Sequence, residues 1–347
     1  MRIAHINLAR GFRGGERQTA LLIQALAAMN VMQALVARQD SPLWNELKDV
    51  ANLQRIKIKQ PYFLRLTRLR AWRPDLLHAH EAKAAQWAFL YKIIYNIPYI
   101  ITRRVLNQPK NNMFTKAVYR SSIAMSAVSS VVARILEEYM PAKTVRHIPD
   151  MVSDIPLNLE LQVQLQKKYA GHYIIGHVGA LSSEKGQRII IEAAKKAAET
   201  KPTLHFVLVG EGADRIYLEN KIQEYHLTNV ELVGFTREVS TWISVFDVFI
   251  FPSLQEGFGS TLLDVMKLNK PIIAARTGGI PDLIRHEKNG LLITAGSALE
   301  LVNAIDRLSQ DKQFAQCLAK EGTQSLGSYL PVTVAECYHA LYRQCLQ

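Results

Sequence analysis

Residues 249–264 read FIFPSLQEGFGSTLLD, a buried-type apolar run, a Pro-Ser turn, then Glu-Gly-Phe-Gly opening a helix. The run Val248-Phe249-Ile250-Phe251 is short and apolar enough for a strand covered on both faces, the mark of a parallel α/β sheet. Pro252 and Ser253 end it. Gly257 and Gly259 let backbone pass close to a ligand at the helix start, where unpaired N–H groups favour a phosphate. Glu256 lies just before that helix, and Asp264 is eight residues on. An acid at each end of such a helix start suits a ligand with a diphosphate and hydroxyl-rich groups on both sides, as a nucleotide-sugar has. The same pattern also fits an ordinary strand-turn-helix joint with two solvated acids.

The chain has 347 residues, enough for two domains, with 48% hydrophobic and 21% charged residues. No apolar run reaches the ~20 residues of a membrane span, and MRIAHINLARG does not read as a signal peptide. Cys317, Cys337 and Cys345 lack metal-ligand spacing and predict a reducing cytoplasm. Charge is uneven. Residues 1–150 carry 23 Lys+Arg against 9 Asp+Glu, whereas the remainder carries 19 against 21. The basic half predicts an anionic partner. No nucleic-acid motif accompanies it, which leaves an anionic membrane surface or acceptor. Residues 57–73, KIKQPYFLRLTRLRAWR, mix Tyr62, Phe63, Leu64 and Trp72 with cations such as Arg65, Arg68 and Arg70. That mixture suits an interfacial helix on anionic lipid and equally a helix with one core face and one wet face.

Strand and helix signals alternate throughout, predicting two parallel sheets. The first half offers strands at Ile3–Leu8, Met32–Ala37, Gln54–Ile58, Leu76–Ala79, Tyr99–Thr102, Ile123–Ala127 and Val145–Ile148. The second offers Tyr173–Val178, Leu204–Val209, Val230–Val233, Val248–Phe251, Pro271–Ala274 and Gly290–Ile293. IPDMVSDIPLN at 148–158 reads as the linker. The expected domains are 1–152 (acceptor-binding), 153–330 (nucleotide-sugar-binding) and a C-terminal helix at 331–347, free to pack back on the first domain.

Candidate chemistry sits at predicted strand ends. Gly11-Phe12-Arg13-Gly14-Gly15-Glu16 follows the first strand but is not a G-x-G-x-x-G fingerprint. It suits either a tight turn or a backbone approach to a phosphate. His78 and His80 share one side of their strand. No further residue is spaced to complete a metal site with them, and His80 is the better placed to meet a sugar hydroxyl. In GALSSEKG at 179–186, Lys185 sits where a diphosphate would, or is a solvated loop lysine. Gly210-Glu211-Gly212 and Gly234-Phe235-Thr236 would line the base side, and Thr277-Gly278-Gly279-Ile280-Pro281-Asp282 forms another glycine loop.

Taken in order, VGALSSEKG, LVGEG, ELVGF, DVFIFPSLQEGFGSTLLD and GGIPDLIRHEKNGLL, with looser matches at GGERQ and HAH (78–80), resemble the retaining GT-B glycosyltransferases of family 4. The resemblance spans nearly the whole chain. It implies an α/β GT-B fold with two Rossmann-like domains facing a central cleft. It also implies that Glu256 holds the transferred sugar, Gly257, Phe258 and Gly259 meet sugar and phosphate through the backbone, and Asp264 binds ribose. Lys185 would meet the diphosphate, His80 the reacting centre, and Gly14 or Gly15 the diphosphate or acceptor. Two positions depart from the family pattern: Asp264 replaces a usual Glu, and Ala180 stands where many members have Arg. Arg103 or Arg104 is expected to supply the missing charge.

The function this implies is transfer, with retention, of a sugar from a nucleotide-sugar (UDP-sugar favoured) to a bacterial envelope acceptor such as lipopolysaccharide core. No metal and no cofactor are expected, and the location expected is cytoplasmic, at the inner membrane face. The alternatives are a GT-B epimerase or phosphorylase, or a catalytically weak partner subunit binding sugar or membrane.

Overall fold

Short continuous apolar runs separated by amphipathic helices assemble, in a computed structural model, into two wholly parallel sheets. The structure describes residues 1–58, 66–154, 156–198 and 201–347. The chain divides into two units, Met1–Met151 with Ser328–Gln347, and Val152–Gly327. The boundaries read from sequence, after residues 152 and 330, fall slightly C-terminal of these.

In the first unit, strands β1 (Arg2–Asn7), β2 (Met32–Arg38), β3 (Leu53–Ile58), β4 (Leu76–Ala79), β5 (Tyr99–Arg103), β6 (Ala124–Ala127) and β7 (Val145–His147) run in the order β3-β2-β1-β4-β5-β6-β7. The order reverses between β1 and β4, and a reversal of this kind opens a crevice at the strand C-termini. The β1–β4 register sets His5 beside His78. The helix Pro331–Leu346 packs on the helix Gly14–Ala28. Tyr338, Leu341 and Tyr342 join Ile3, Leu22, Leu26 and Leu76 in one buried cluster.

The second unit repeats the plan with β8 (Tyr173–Val178), β9 (Leu204–Val209), β10 (Val230–Gly234), β11 (Val248–Phe251), β12 (Ile272–Ala275) and β13 (Leu291–Ile293), ordered β10-β9-β8-β11-β12-β13. Its reversal lies between β8 and β11. All four residues of β11 are buried, as a strand with helices on both faces requires. Strand ends differ from expectation by a residue or so. The helix after β8 starts at Gln187, because Gly186 takes φ +75° to close the preceding turn. Helices at Met113–Ser121, Ser130–Tyr139, Leu159–Lys168 and Lys312–Gln324 complete the pattern.

Of the basic-aromatic stretch 57–73, residues 59–65 lie outside the described residues, so Tyr62, Phe63 and Arg65 carry no structural account here. Its end forms the helix Leu66–Trp72. There Trp72 is buried, Arg68 is exposed, and the guanidinium of exposed Arg70 lies 5.1 Å from the Tyr95 ring centroid.

Candidate functional site

In the second unit the loops after β8, β11 and β12 are tied into one surface by backbone hydrogen bonds. Leu254 N and Gln255 N donate to Glu184 O (2.7 and 3.3 Å), and Gly279 N donates to Glu256 O (3.0 Å). Glycine is needed where these chains touch. A Cβ on Gly186 would lie 2.0 Å from Pro252 O, and one on Gly210 (φ +143°) would lie 1.9 Å from Gly179 O. Both are well inside any tolerable contact, so the loops can meet only as they do. The loop after β8 is held from below by His177. Its Nδ1–H donates to Ile250 O, so its Nε2 accepts from Gln187 Nε2, which also donates to Ala180 O. Burial lowers the His177 pKa to about 4, with the Ile250 carbonyl opposing and Lys185 adding to the fall. The ring is a neutral strut at physiological pH.

On this surface Lys185 Nζ is 2.6 Å from Glu256 Oε2, both side chains being largely buried. The ammonium also sits 5.7 Å from the Phe251 ring centroid. Gly257 follows, Phe258 is buried, and Gly259 takes φ +91° ahead of the helix Thr261–Lys267. The helix starts later than the sequence suggests, so Asp264 falls in its first turn. Asp264 is 5% exposed, and its Oδ1 accepts from Ser153 Oγ (2.5 Å) and Ser153 N (3.4 Å). The carboxylate expected at ribose is thus engaged with the chain that enters this unit. Lys267 Nζ reinforces the same segment, donating to Ser153 O and to Asp154 Oδ1. Gly234 (φ +90°) lies beside the Glu211–Arg215 ion pair at the far end of the strand edge.

In the first unit Gly14 and Gly15 open the helix Gly14–Ala28, behind an Arg13 N to Glu16 Oε2 hydrogen bond. A Cβ on Gly15 would lie 3.9 Å from Arg104 Cδ, so this turn and the end of β5 share one edge. Arg104 Nε pairs with Asp150 (3.1 Å). Burial opposes its charge, yet Asp150 and its neighbours raise its pKa overall. Arg103 differs: buried, its Nη1 donates to Tyr119 OH. The two arginines expected as interchangeable have separate partners.

His80 ends β4 at this edge, 5% exposed. His5 Nδ1 is 3.0 Å from His80 Nε2, and His5 Nε2 is 3.0 Å from Gln33 Oε1. His78 is fully buried, with Nδ1 2.7 Å from Tyr342 OH and Nε2 2.6 Å from Thr102 Oγ1. Burial lowers the pKa of all three: His5 to about 3, against a raising hydrogen bond from Gln33, and the other two well below the usual value, with neighbouring imidazoles and Arg104 adding to the fall. The expectation that nothing accompanies His78 and His80 is therefore corrected. Each of the three rings offers a nitrogen within 4.8 Å of the others, close enough to share an ion. Both nitrogens of His78 already face hydroxyl groups, and the nearby guanidinium makes the neighbourhood unfavourable to a further cation.

Sequence reading did not single out His5, Gln33, Glu81 or Asp150. Glu81 caps the helix Ala82–Tyr95, accepting from Lys83 N and Ala84 N, and takes Leu8 N from the loop after β1. Only the order of strands brings these residues to His80 and Arg104, and that order is not written in local pattern.

Two family models match the chain: Glycosyl transferases group 1 over residues 160–325 and Glycosyltransferase Family 4 over residues 12–154. The lipopolysaccharide core biosynthesis glycosyltransferase LpsD of Rhizobium meliloti is 24% identical over 337 residues, 94% of this chain and 93% of that protein. The alpha-D-kanosaminyltransferase of Streptomyces kanamyceticus is 25% identical over 70% of each chain. The crystal structure of Anabaena HepE in complex with UDP superposes with a TM-score of 0.85 at 20% identity, over 99% of this chain and 100% of that one. With a glycosyltransferase family model matching each unit and glycosyltransferases among its relatives, the chain is a glycosyltransferase of the family 4/group 1 type, an enzyme of hexosyl transfer with the GT-B fold.

Proposed function

We propose that this enzyme moves a hexose, with retention of configuration, from a UDP-sugar to an envelope glycan such as lipopolysaccharide core. One observation carries the reading: a lysine and a glutamate pair at a glycine-lined strand edge, at the positions where the family resemblance puts diphosphate and sugar. Lys185 would neutralise the departing diphosphate, an electrostatic term that is usually large. Glu256 would accept from sugar hydroxyls, with Gly257, Phe258 and Gly259 offering backbone. Same-face attack would let the leaving diphosphate help deprotonate the acceptor hydroxyl. The nucleotide is inferred from HepE, whose structures hold UDP and UDP-glucose, and the acceptor class from LpsD.

Work at a membrane surface is part of this proposal. Among the described residues no helix is long and apolar enough to cross a membrane. The helices Ala82–Tyr95 and Met113–Ser121 pack together and leave Ile93 64% and Met113 89% exposed, with Leu90, Ile94 and Phe114 exposed as well. Between Glu81 and Glu137 the sequence has eight Lys or Arg and no carboxylate side chain. Exposed apolar side chains on a stretch of sequence rich in cations and free of acids suit an anionic lipid surface.

The test is turnover by the purified chain with UDP-, GDP- and ADP-sugars and lipopolysaccharide core fragments. A lengthened acceptor with an unchanged anomeric configuration, formed with release of UDP, is expected. Nucleotide release with no lengthened acceptor would point to the epimerase or phosphorylase alternative, and transfer from GDP-sugars alone would overturn the choice of nucleotide.

A further inference from the structure

The hydrogen bonds around His80 fix which of its nitrogens carries the proton. Gln33 Nε2 donates to Ile23 O (2.9 Å), a carbonyl that can only accept. The amide oxygen of Gln33 therefore faces His5, and His5 Nε2 must donate to it. A neutral His5 then has a bare Nδ1, which accepts from His80 Nε2–H at 3.0 Å. That leaves His80 Nδ1 with a lone pair, buried and without a partner among the described residues. The Nη1 donor of Arg104 is likewise buried and without a partner among them, and its charge acts on His80. A bare buried acceptor suits a hydrogen-bond donor, and an alcohol hydroxyl is the simplest one.

We propose that Gln33 and His5 are positioning residues that lock His80 in its Nε2–H form, so that His80 Nδ1 stands ready to accept from a hydroxyl group of a sugar substrate. The proposal rests on the reading of the chain as a sugar transferase. Neither Gln33 nor His5 needs to touch the sugar. Without them the imidazole would be free to exchange tautomers, and its Nδ1–H form could no longer accept from the hydroxyl.

Nitrogen-15 NMR of the intact protein tests the lock directly. Histidine signals are assigned by single replacement, and pyridine-like Nδ1 and pyrrole-like Nε2 shifts are expected for both His5 and His80. A protonated His80 Nδ1 would overturn the proposal while leaving the transferase reading untouched. Kinetics of two variants supply the second arm. His5→Asn places an amide oxygen near the site of Nδ1, where it can still accept from His80, whereas His5→Leu cannot. His5→Leu is expected to lower kcat/KM about tenfold or more, the factor given by ~1.4 kcal/mol of lost hydrogen bonding, and His5→Asn to recover most of it, with UDP affinity unchanged in both. Equal losses in two folded variants would overturn the positioning role. Full transfer by His80→Ala would overturn the role of His80 at the sugar, even with the tautomer as stated.

Discussion

Lys185 and Glu256, which come from loops after different strands, hold each other at 2.6 Å. The two groups proposed for diphosphate and sugar satisfy one another. A buried pair is costly to break one-sidedly but easily exchanged for better partners. A diphosphate and a set of hydroxyls offer each of them a replacement at once.

Glu256→Ala should therefore separate binding from turnover. Transfer is expected to fall by about 10²-fold or more, while UDP binds as well as before or more tightly, because Lys185 no longer has a competing carboxylate. Lys185→Ala should instead weaken UDP by about 1.5–3 kcal/mol, the range for a hydrogen bond to a charged group. Calorimetric titration with UDP beside a transfer assay reads both, and unchanged turnover in Glu256→Ala would remove the residue from the site.

Asp264→Ala should behave as a stability variant. It removes a charge-assisted hydrogen bond to Ser153 in a buried setting, so unfolding of the second unit should become easier by roughly 1–3 kcal/mol. Urea titration followed by fluorescence checks this. A variant of unaltered midpoint that has lost UDP affinity would return Asp264 to the ribose.

Acid should destabilise the protein from just below neutrality. His177 titrates near 4 and His5 near 3 in the folded chain, against 6.5 when unfolded. Above pH 6.5 both states are neutral and the stability is fully present. As pH falls from 6.5 the unfolded state takes up protons that the folded state refuses, so stability is lost progressively, by on the order of 1.4 kcal/mol per pH unit for each such histidine. Urea midpoints at pH 8, 6 and 5 should fall in that order, and a midpoint flat across this range would contradict the buried neutral rings.

Chelation should leave transfer nearly intact. Three imidazoles share one neighbourhood, but all of their nitrogens except His80 Nδ1 already face Gln33, Tyr342, Thr102 or each other. Activity lost in chelator and restored by Zn2+ or Mn2+ would show that this cluster, or the donor site, holds an ion.

Anionic vesicles should bind the protein in a salt-sensitive way. Each Lys or Arg near the surface contributes about 1 kcal/mol, screened over roughly 8–10 Å at physiological ionic strength. Replacing Ile93, Ile94, Met113 and Phe114 with Ser should weaken vesicle binding while leaving UDP affinity alone. Co-sedimentation with neutral vesicles alongside separates charge from insertion, and undiminished binding by the fourfold variant would move the contact elsewhere on the basic half.

The strands were legible because parallel strands buried on both faces are continuous apolar runs, and every one read from the sequence is present within a residue or so. The glycine loops were legible for a related reason: Gly186 and Gly210 sit where no Cβ fits. What stayed hidden depends on partners remote in sequence. His5 reads as an ordinary strand residue until β1 is known to lie against β4. Ser153, the partner of Asp264, lies more than a hundred residues earlier, so no local pattern announces their hydrogen bond. Arg103 and Arg104 are adjacent in the chain, yet Tyr119 engages one and Asp150 the other.

The return of residues 328–347 to the first unit sets an order of events during synthesis. Val152–Gly327 is one uninterrupted stretch and can complete its core as soon as it has left the ribosome. The first unit emerges earlier but cannot finish, because Val334, Tyr338, Leu341 and Tyr342 close its apolar cluster and Tyr342 lies against His78. Domains generally fold as units as they emerge, but here the half made first must wait for the half made second, with the apolar face of the helix Gly14–Ala28 uncovered meanwhile. Released chains truncated after residue 327 should accordingly recruit chaperones at their N-terminal half, while their C-terminal half is resistant to protease.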